Sequence, residues 1–166
     1  MRRNALNVEY PEGVKFKVVH TNHPLYARFY SYIIRDRSVW TIYYSSQDTQ
    51  DESIYVLALT PDELTCLGFY SFRMDEYTGV DNGRHTRGVH VHIQFAHTRK
   101  GFRNKGIGKA MNRHLVKYLN RKYGVRNYDF DTELHSSKGE SMHTYRMTLC
   151  HPDVVERSSA KFLRDD

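Results

Sequence analysis

The stretch Arg99–Ala110, RKGFRNKGIGKA, has side chains and spacing suited to holding an anion. Basic residues crowd two glycines set one residue apart, Gly106 and Gly108, and a helical pattern follows. Glycine lets a backbone come close to a ligand, and a helix's first turn presents unpaired N–H groups at the positive end of its dipole. A diphosphate is the natural guest. The run is neither a Walker loop nor a dinucleotide fingerprint, because GxxxxGK[ST] and a three-glycine GxGxxG are both absent. It reads R-x-x-G-x-G, after a strand-like segment and before a helix. The plainer alternative is a tight strand-to-helix turn that binds nothing.

Two further sets of residues could move protons. Alternation in Val89–Phe95 puts His90, His92 and Gln94 on one face and Val91, Ile93 and Phe95 on the other. A histidine titrates near neutrality, so it can take a proton from an ammonium directly or through water. The alternative makes both histidines ordinary polar strand residues. In Tyr128–Leu134, YDFDTEL, Asp129, Asp131 and Glu133 share a face opposite Phe130, Thr132 and Leu134. Lining a cleft, these carboxylates would draw a cationic amine, and Glu133 could act as base. Meeting solvent, they are a common polar strand face. His90, His92 and His97 are a conceivable zinc set, but His97 has the opposite parity and no cysteine or carboxylate completes it. No metal is expected.

The elements that must position these groups follow from periodicity. Val14–His20 alternates as a first strand, with Val14, Phe16 and Val18 on one face. Thr21–Pro24 gives cap-type residues and a proline, predicting a helix over Leu25–Arg37 with Leu25, Phe29, Tyr32 and Ile33 on a common side. Val39–Tyr44 fits either a strand or a second short helix, and Ser45–Ser53 reads as a polar loop. Ile54–Thr60 and Leu64–Arg73 form a hairpin around Pro61-Asp62-Glu63. Met74–Thr86 reads as a loop, a mobile lip, and Arg87–Thr98 as the fourth strand.

A helix is predicted from about Lys105 to Tyr123. Its buried stripe is Ile107, Ala110, Met111, His114, Leu115, Tyr118 and Leu119, and Gly124 closes it. It would carry the chain to a fifth strand, Tyr128–Leu134, parallel to the fourth. Ser136–Met147 reads as a helix, and His151–Asp166 gives weak signals.

With 166 residues the expectation is one domain over 1–166, best defined over 14–147, with the structure of 148–166 left open. Apolar residues make up 39% and aromatics 13%, too rich for a disordered chain. Two cysteines without metal-type spacing suggest a reduced, cytoplasmic protein. The N-terminus lacks an apolar run, and no stretch approaches the ~20 apolar residues of a membrane span. Ten of the 25 Lys and Arg lie between Arg99 and Arg126, where there is no acid; the remainder carries 15 basic against 19 acidic residues. The net charge of +6 is therefore local to the proposed anion turn and its helix. A nucleic-acid surface would look similar.

The order β–α–(α)–β–β–β–α–β–α over Val14–Met147, the Arg103–Gly108 motif, and Leu67-Gly68-Phe69 in the third strand together resemble the GNAT superfamily of acetyltransferases. The resemblance implies a mixed α/β (α+β) fold with a largely antiparallel central sheet. Its fourth and fifth strands would form a splayed parallel pair flanked by helices. It implies acetyl-CoA as co-substrate, with pyrophosphate on the N–H groups of Asn104, Lys105, Gly106, Ile107 and Gly108. Arg99, Lys100, Arg103, Lys105 and Lys109 would supply charge, and the backbone of Phe95, Ala96, His97 and Thr98 would bond the pantetheine arm.

By the same resemblance His92 or Gln94 takes the position of a base or water-ordering residue. Tyr145, in SMHTYRM with Ser141 four residues before it, takes that of a tyrosine near the coenzyme sulfur. The usual Gly-Phe pair downstream is missing from Met147–Pro152, so the end of the sheet departs from the family. The implied activity is N-acetyl transfer to a primary amine by direct attack in a ternary complex. The alternatives are an inactive coenzyme-binding module, a nucleic-acid-binding protein, and an enzyme acting on an RNA-linked amine such as aminoacyl-tRNA. The last is suggested by Lys109, Arg113, Lys117 and Arg121, a ridge ~18 Å long on the helix. Acyl-chain length and oligomeric state, monomer or homodimer, are left open.

Overall fold

Alternating apolar runs build the sheet, and two amphipathic helices close its faces. A computed structural model describes residues 2–3, 9–10, 13–35, 53–81, 83–134 and 136–162. Two-residue strands β1 (Arg2–Arg3) and β2 (Glu9–Tyr10) pair with each other. The main sheet has six strands in sequence order: β3 (Lys15–His20), β4 (Ser53–Leu59), β5 (Cys66–Asp81), β6 (Arg84–Thr98), β7 (Tyr128–Leu134) and β8 (Ser159–Phe162). Pairing is antiparallel from β3 to β6, then parallel for β6–β7 and β7–β8. The expected mixed sheet with its central parallel pair is present. The helices are α1 (Pro24–Arg35), α2 (Ile107–Tyr123), α3 (Ser137–Thr148) and α4 (Pro152–Arg157).

β4 is buried along its whole length because both its faces are covered, which is why Ile54–Leu59 reads as an unbroken apolar run. On one face Ile54, Val56, Tyr70, Phe72, Val89, Val91 and Phe130 pack with Ile107, Met111, Leu115 and Leu119 of α2. On the other, Tyr55, Leu57, Leu59 and Phe69 pack with Leu25, Phe29, Tyr32 and Ile33 of α1. The stripes expected on both helices are thus the ones buried. His114 and Tyr118 lie at the edge, half-buried rather than buried.

Three expectations need correction or extension. Met74–Thr86 is not a loop: β5 and β6 continue as a hairpin arm, in register from Met74↔Val91 to Asp81↔Arg84. The arm is held by a bidentate Arg87–Glu76 pair at 2.8 Å and by Tyr123 Oη, which donates to Glu76 at 2.6 Å. Gly83, just before Arg84, takes φ +79°, a conformation that glycine adopts readily in hairpin turns. α2 begins at Ile107 rather than Lys105, because Gly106 caps it at φ +83°, a conformation other side chains resist.

Beyond Met147 the sheet ends in a parallel strand reached through α4. His151 Nδ1 accepts from Asp153 N at 3.0 Å, Pro152 occupies the first turn, and Val154 enters the core under β7. That proline after a capping histidine was a legible start signal. Val39–Tyr44 and most of the loop read over Ser45–Ser53 lie outside the described residues; Ser53 itself opens β4. No helix among the described residues is long and apolar enough to cross a membrane.

Candidate active site

The anion turn is built by the segment between β6 and α2. Arg99 N donates to Leu67 O and Phe102 N to Arg99 O, folding the chain back before the helix. Asn104 and Gly106 both take positive φ, at 61° and 83°. No side chain caps α2 and no acid stands in its first turn, so its leading N–H groups are left for an outside acceptor. Lys100, Arg103 and Asn104 are exposed here, and Lys105, Gly108 and Lys109 half-buried. Arg99 is engaged elsewhere: its Nε donates to Cys66 O at 2.6 Å and its guanidinium lies 3.8 Å from the Tyr32 ring centroid on α1. Arg103 Nε donates to Thr98 O at 2.9 Å.

A gap opens beside this turn. β6 and β7 are paired from Val89↔Tyr128 only as far as Ile93↔Thr132. β6 runs on to Thr98 paired with β5, five residues past Ile93, the last residue that it pairs with β7. The cause is a bulge: Ser71 pairs Phe95 while Phe72 pairs Ile93, leaving Gln94 as the extra residue, and a bulge bends its strand. Gln94 is 8% exposed, and its Oε1 accepts from Ser53 Oγ at 2.9 Å and Ser71 Oγ at 2.7 Å. The extra residue also overturns the expected parity of Phe95. It leaves the Val91–Ile93 face and packs with Phe69 on the α1 side, where His97 Nδ1 bonds Tyr32 Oη at 2.8 Å.

The histidine face of β6 and the carboxylate face of β7 lie on the same side of the sheet. His90 Nδ1 lies 2.8 Å from Asp129 Oδ1, with Tyr77 stacked on the imidazole at 4.5 Å. His92 Nδ1 lies 3.1 Å from Asp131 Oδ2, and its Nε2 2.8 Å from Asp75 Oδ2. Ionised carboxylates only accept, so both His92 bonds form together only when each ring nitrogen carries a proton. Asp75 was missed in sequence because its segment read as loop. Glu133 is exposed on the same face as Asp131, one residue beyond the last β6–β7 pair.

α3 brings Tyr145 to the other side of the turn. Ser136 caps this helix, accepting from Gly139 N, and Asn112 Nδ2 donates to Met142 O to fix it on α2. Lys109, Glu140, Ser141, Met142, Thr144 and Tyr145 line an open cleft of about 440 Å³. Ser141 and Tyr145 both border this cleft. Tyr145 Oη accepts from Arg113 at 2.9 Å. Arg113 is thus half-buried rather than part of a free ridge; of that row, Lys117 and Arg121 are exposed.

Sequence reasoning missed Arg146. It is 0% exposed and donates to Tyr70 Oη, to Asn112 Oδ1 at 3.1 Å and to Thr132 Oγ1 at 3.0 Å, beside the Phe130 ring. Among the described residues its Nε has no partner, and the acceptors it meets are neutral. A buried charge needs such a set to offset lost hydration, so Arg146 ties α3 to β5, α2 and β7 where the gap begins. His143 stands 3.5 Å from it, held below the usual imidazole range by burial and by that guanidinium. Neither cysteine is a poised nucleophile. Burial pushes the Cys66 thiol up to about 12 and raises that of Cys150. Among the described residues no three ligand-type side chains are grouped to hold a metal ion.

A glycine turn at a helix start, a bulged strand parting from its parallel neighbour, and a cleft tyrosine are features of an acyl-coenzyme A transferase fold. The sequence profile described as "Acetyltransferase (GNAT) family" matches residues 19–147, and the chain belongs to that family. Among solved structures it is similar to the xEco2 acetyltransferase domain, at 12% identity and TM-score 0.51, over 94% of this chain and 92% of that one. It is also similar to Arabidopsis thaliana NAA60, solved in complex with acetyl-CoA, at 17% identity and TM-score 0.50, over 69% of this chain and 72% of that one. At these identities the likeness is one of fold. No curated protein sequence matches the chain.

Proposed function

We propose that the chain transfers an acetyl group from acetyl-CoA to a primary amine by direct attack in a ternary complex. The observation that carries this reading is the gap beyond Ile93↔Thr132, opening between the uncapped start of α2 and the Tyr145 cleft. The pyrophosphate would sit on the N–H groups of Gly106 to Gly108, with Lys100, Arg103 and Lys105 adding charge. The pantetheine arm would follow β6 from Thr98 to Phe95, past the end of its pairing with β7, bonding backbone groups there as an added strand does.

The acceptor would arrive as an ammonium on the His92 face. Its positive charge is drawn by Asp75, Asp131 and Glu133, and it inserts between His92 Nε2 and the exposed Asp75 carboxylate. His92 takes its proton. With Asp75 displaced, His92 keeps its Nδ1 proton on Asp131 and accepts at Nε2; once the product leaves, Asp75 can return and hold the imidazolium between two carboxylates. The freed amine attacks the thioester carbon, the C–S bond breaks with its electron pair going to sulfur, and Tyr145 supplies the proton that makes the thiol.

Calorimetry with acetyl-CoA tests the binding half, and free-thiol release with a panel of amines tests the catalytic half. Gly106→Asp, which puts a carboxylate at the phosphate turn and strains its backbone, should weaken acetyl-CoA binding at least a hundredfold. Binding unaffected by that change would overturn the reading.

A further inference from the structure

Resting on the acetyl-transfer reading above, we propose that Arg113 is a positioning residue that aims the Tyr145 proton at the leaving sulfur. A guanidinium can only donate a hydrogen bond, whereas a phenol has one proton to give and lone pairs that accept. Arg113 lies 2.9 Å from Tyr145 Oη, so the phenol oxygen is the acceptor and its own proton points elsewhere. Among the described residues that oxygen has no second partner, and the ring borders the cleft shared with Lys109, Ser141 and Met142. The proton is directed by exclusion toward the cleft.

A second cation fixes the plane of the ring. Lys109 Nζ stands 5.1 Å from the ring centroid, within the range of cation–π attraction. Lys109 and Arg113 are four residues apart on α2, so one helix face grips the tyrosine at its face and at its oxygen. A lone arginine on a surface helix would extend into water. Arg113 instead lies half-buried across a neutral phenol.

The chemistry gives this contact a reason. The amine nitrogen, its ammonium proton already on His92, bonds to the thioester carbon; the adduct gives the second N–H proton to water and collapses with the C–S pair passing to sulfur. Tyr145 Oη gives its proton to that sulfur, so coenzyme A leaves as the thiol. The phenolate left behind regains a proton from water. As the proton departs, the Arg113 bond changes from one to a neutral oxygen into one to an anion, and charge-assisted bonds are shorter and stronger. An interaction that strengthens as the reaction proceeds raises kcat rather than substrate affinity. Arg113 thus serves the tyrosine and not the coenzyme phosphates.

The test is a double-mutant cycle on thiol release, using an amine that wild-type protein acetylates. Arg113→Met and Arg113→Gln should each lower kcat about tenfold, the worth of roughly one hydrogen bond. KM for acetyl-CoA should stay within about twofold if the contact acts on the turnover step. Tyr145→Phe should lower kcat at least as far, and adding either Arg113 change to it should cost nothing more. Arg113→Lys, which keeps a cationic donor, should recover part of the loss, and Lys117→Met, one turn along the same row, should leave kcat unchanged. Equal losses in both Tyr145 backgrounds, or a rise in acetyl-CoA KM alone, would overturn the proposal while leaving acetyl transfer intact. Wild-type protein that binds acetyl-CoA but releases no thiol with any amine would overturn the functional reading, and this proposal with it.

Discussion

His92 is bonded at both ring nitrogens, by Asp131 on β7 and Asp75 on β5, and that arrangement separates it from the other proton-acceptor candidates. Asp131 orients the ring, and Asp75, more than half exposed, can yield its place to an incoming ammonium. Glu133 shares the face but lies beyond the paired region. His92→Ala should therefore lower kcat/KM for the amine by about two orders of magnitude or more, the usual weight of a general base. Acetyl-CoA affinity by calorimetry should hold, and Glu133→Gln should cost far less. The opposite ranking of the two variants moves the base to Glu133. Period-two alternation grouped His90 with His92 and Asp129 with Asp131, but their facing depends on the parallel register, since a slip of one residue would turn a face over. The third member, Asp75, was missed, because charged residues and glycines in the arm masked its strand character.

At the scale of the element, one extra residue in β6 decides the shape of the site. The bulge at Gln94 turns the strand from β7 and carries Phe95 across the sheet, and two serine hydroxyls pin it through the Gln94 carbonyl. Gln94→Leu keeps the bulk but leaves Ser53 and Ser71 without that acceptor in a buried place. A buried hydroxyl that loses its acceptor, as Ser71 does, costs about 1–3 kcal/mol. The urea midpoint should fall with an unchanged m-value, and acetyl-CoA should bind at least tenfold more weakly as the bulge relaxes. Full affinity in a destabilised variant would show that the bulge is a feature of folding alone. The arm beyond it depends on a different device, the Glu76 link to Arg87 and Tyr123, which joins β5, β6 and the end of α2.

For the whole molecule, two cores share one sheet, and a histidine sits at the edge of one of them. His114 on α2 stacks on Phe16 at 4.6 Å. Its pKa is held below the ordinary imidazole value, first by burial and then by Lys117 and Arg113. The unfolded chain therefore takes up this proton at a higher pH than the folded one. Stability should fall as pH drops below about 6.5 and level off below the depressed folded value. His143 acts in the same direction, by burial and by Arg146. The lowered carboxylates Asp62, Glu63 and Glu76 titrate further into acid, outside this window. Urea midpoints between pH 7.5 and 5 should show a shallower slope in His114→Phe, which keeps a ring on Phe16, than in wild type. Equal slopes would mean that His114 does not couple to folding.

What the sequence determined by itself was whatever depends on neighbours along the chain. The stripes of α1 and α2, the alternation of β3, β6 and β7, and the glycine turn before a helix all follow from periodicity and local backbone freedom. The parallel β6–β7 pair follows from one crossover helix of sufficient length. Only the tertiary structure decided what depends on partners distant in sequence. Gln94 becomes a bulge because Ser53 and Ser71 hold it, and Arg99 turns to Tyr32 instead of the glycine turn. Arg146, on a weakly amphipathic helix, reads as a surface residue until Tyr70, Asn112 and Thr132 converge on it. Arg113 reads as one member of a basic ridge until α3 lays Tyr145 against it. Hydrogen bonds of this kind join residues 14 to 76 apart in the chain, where no local pattern registers them.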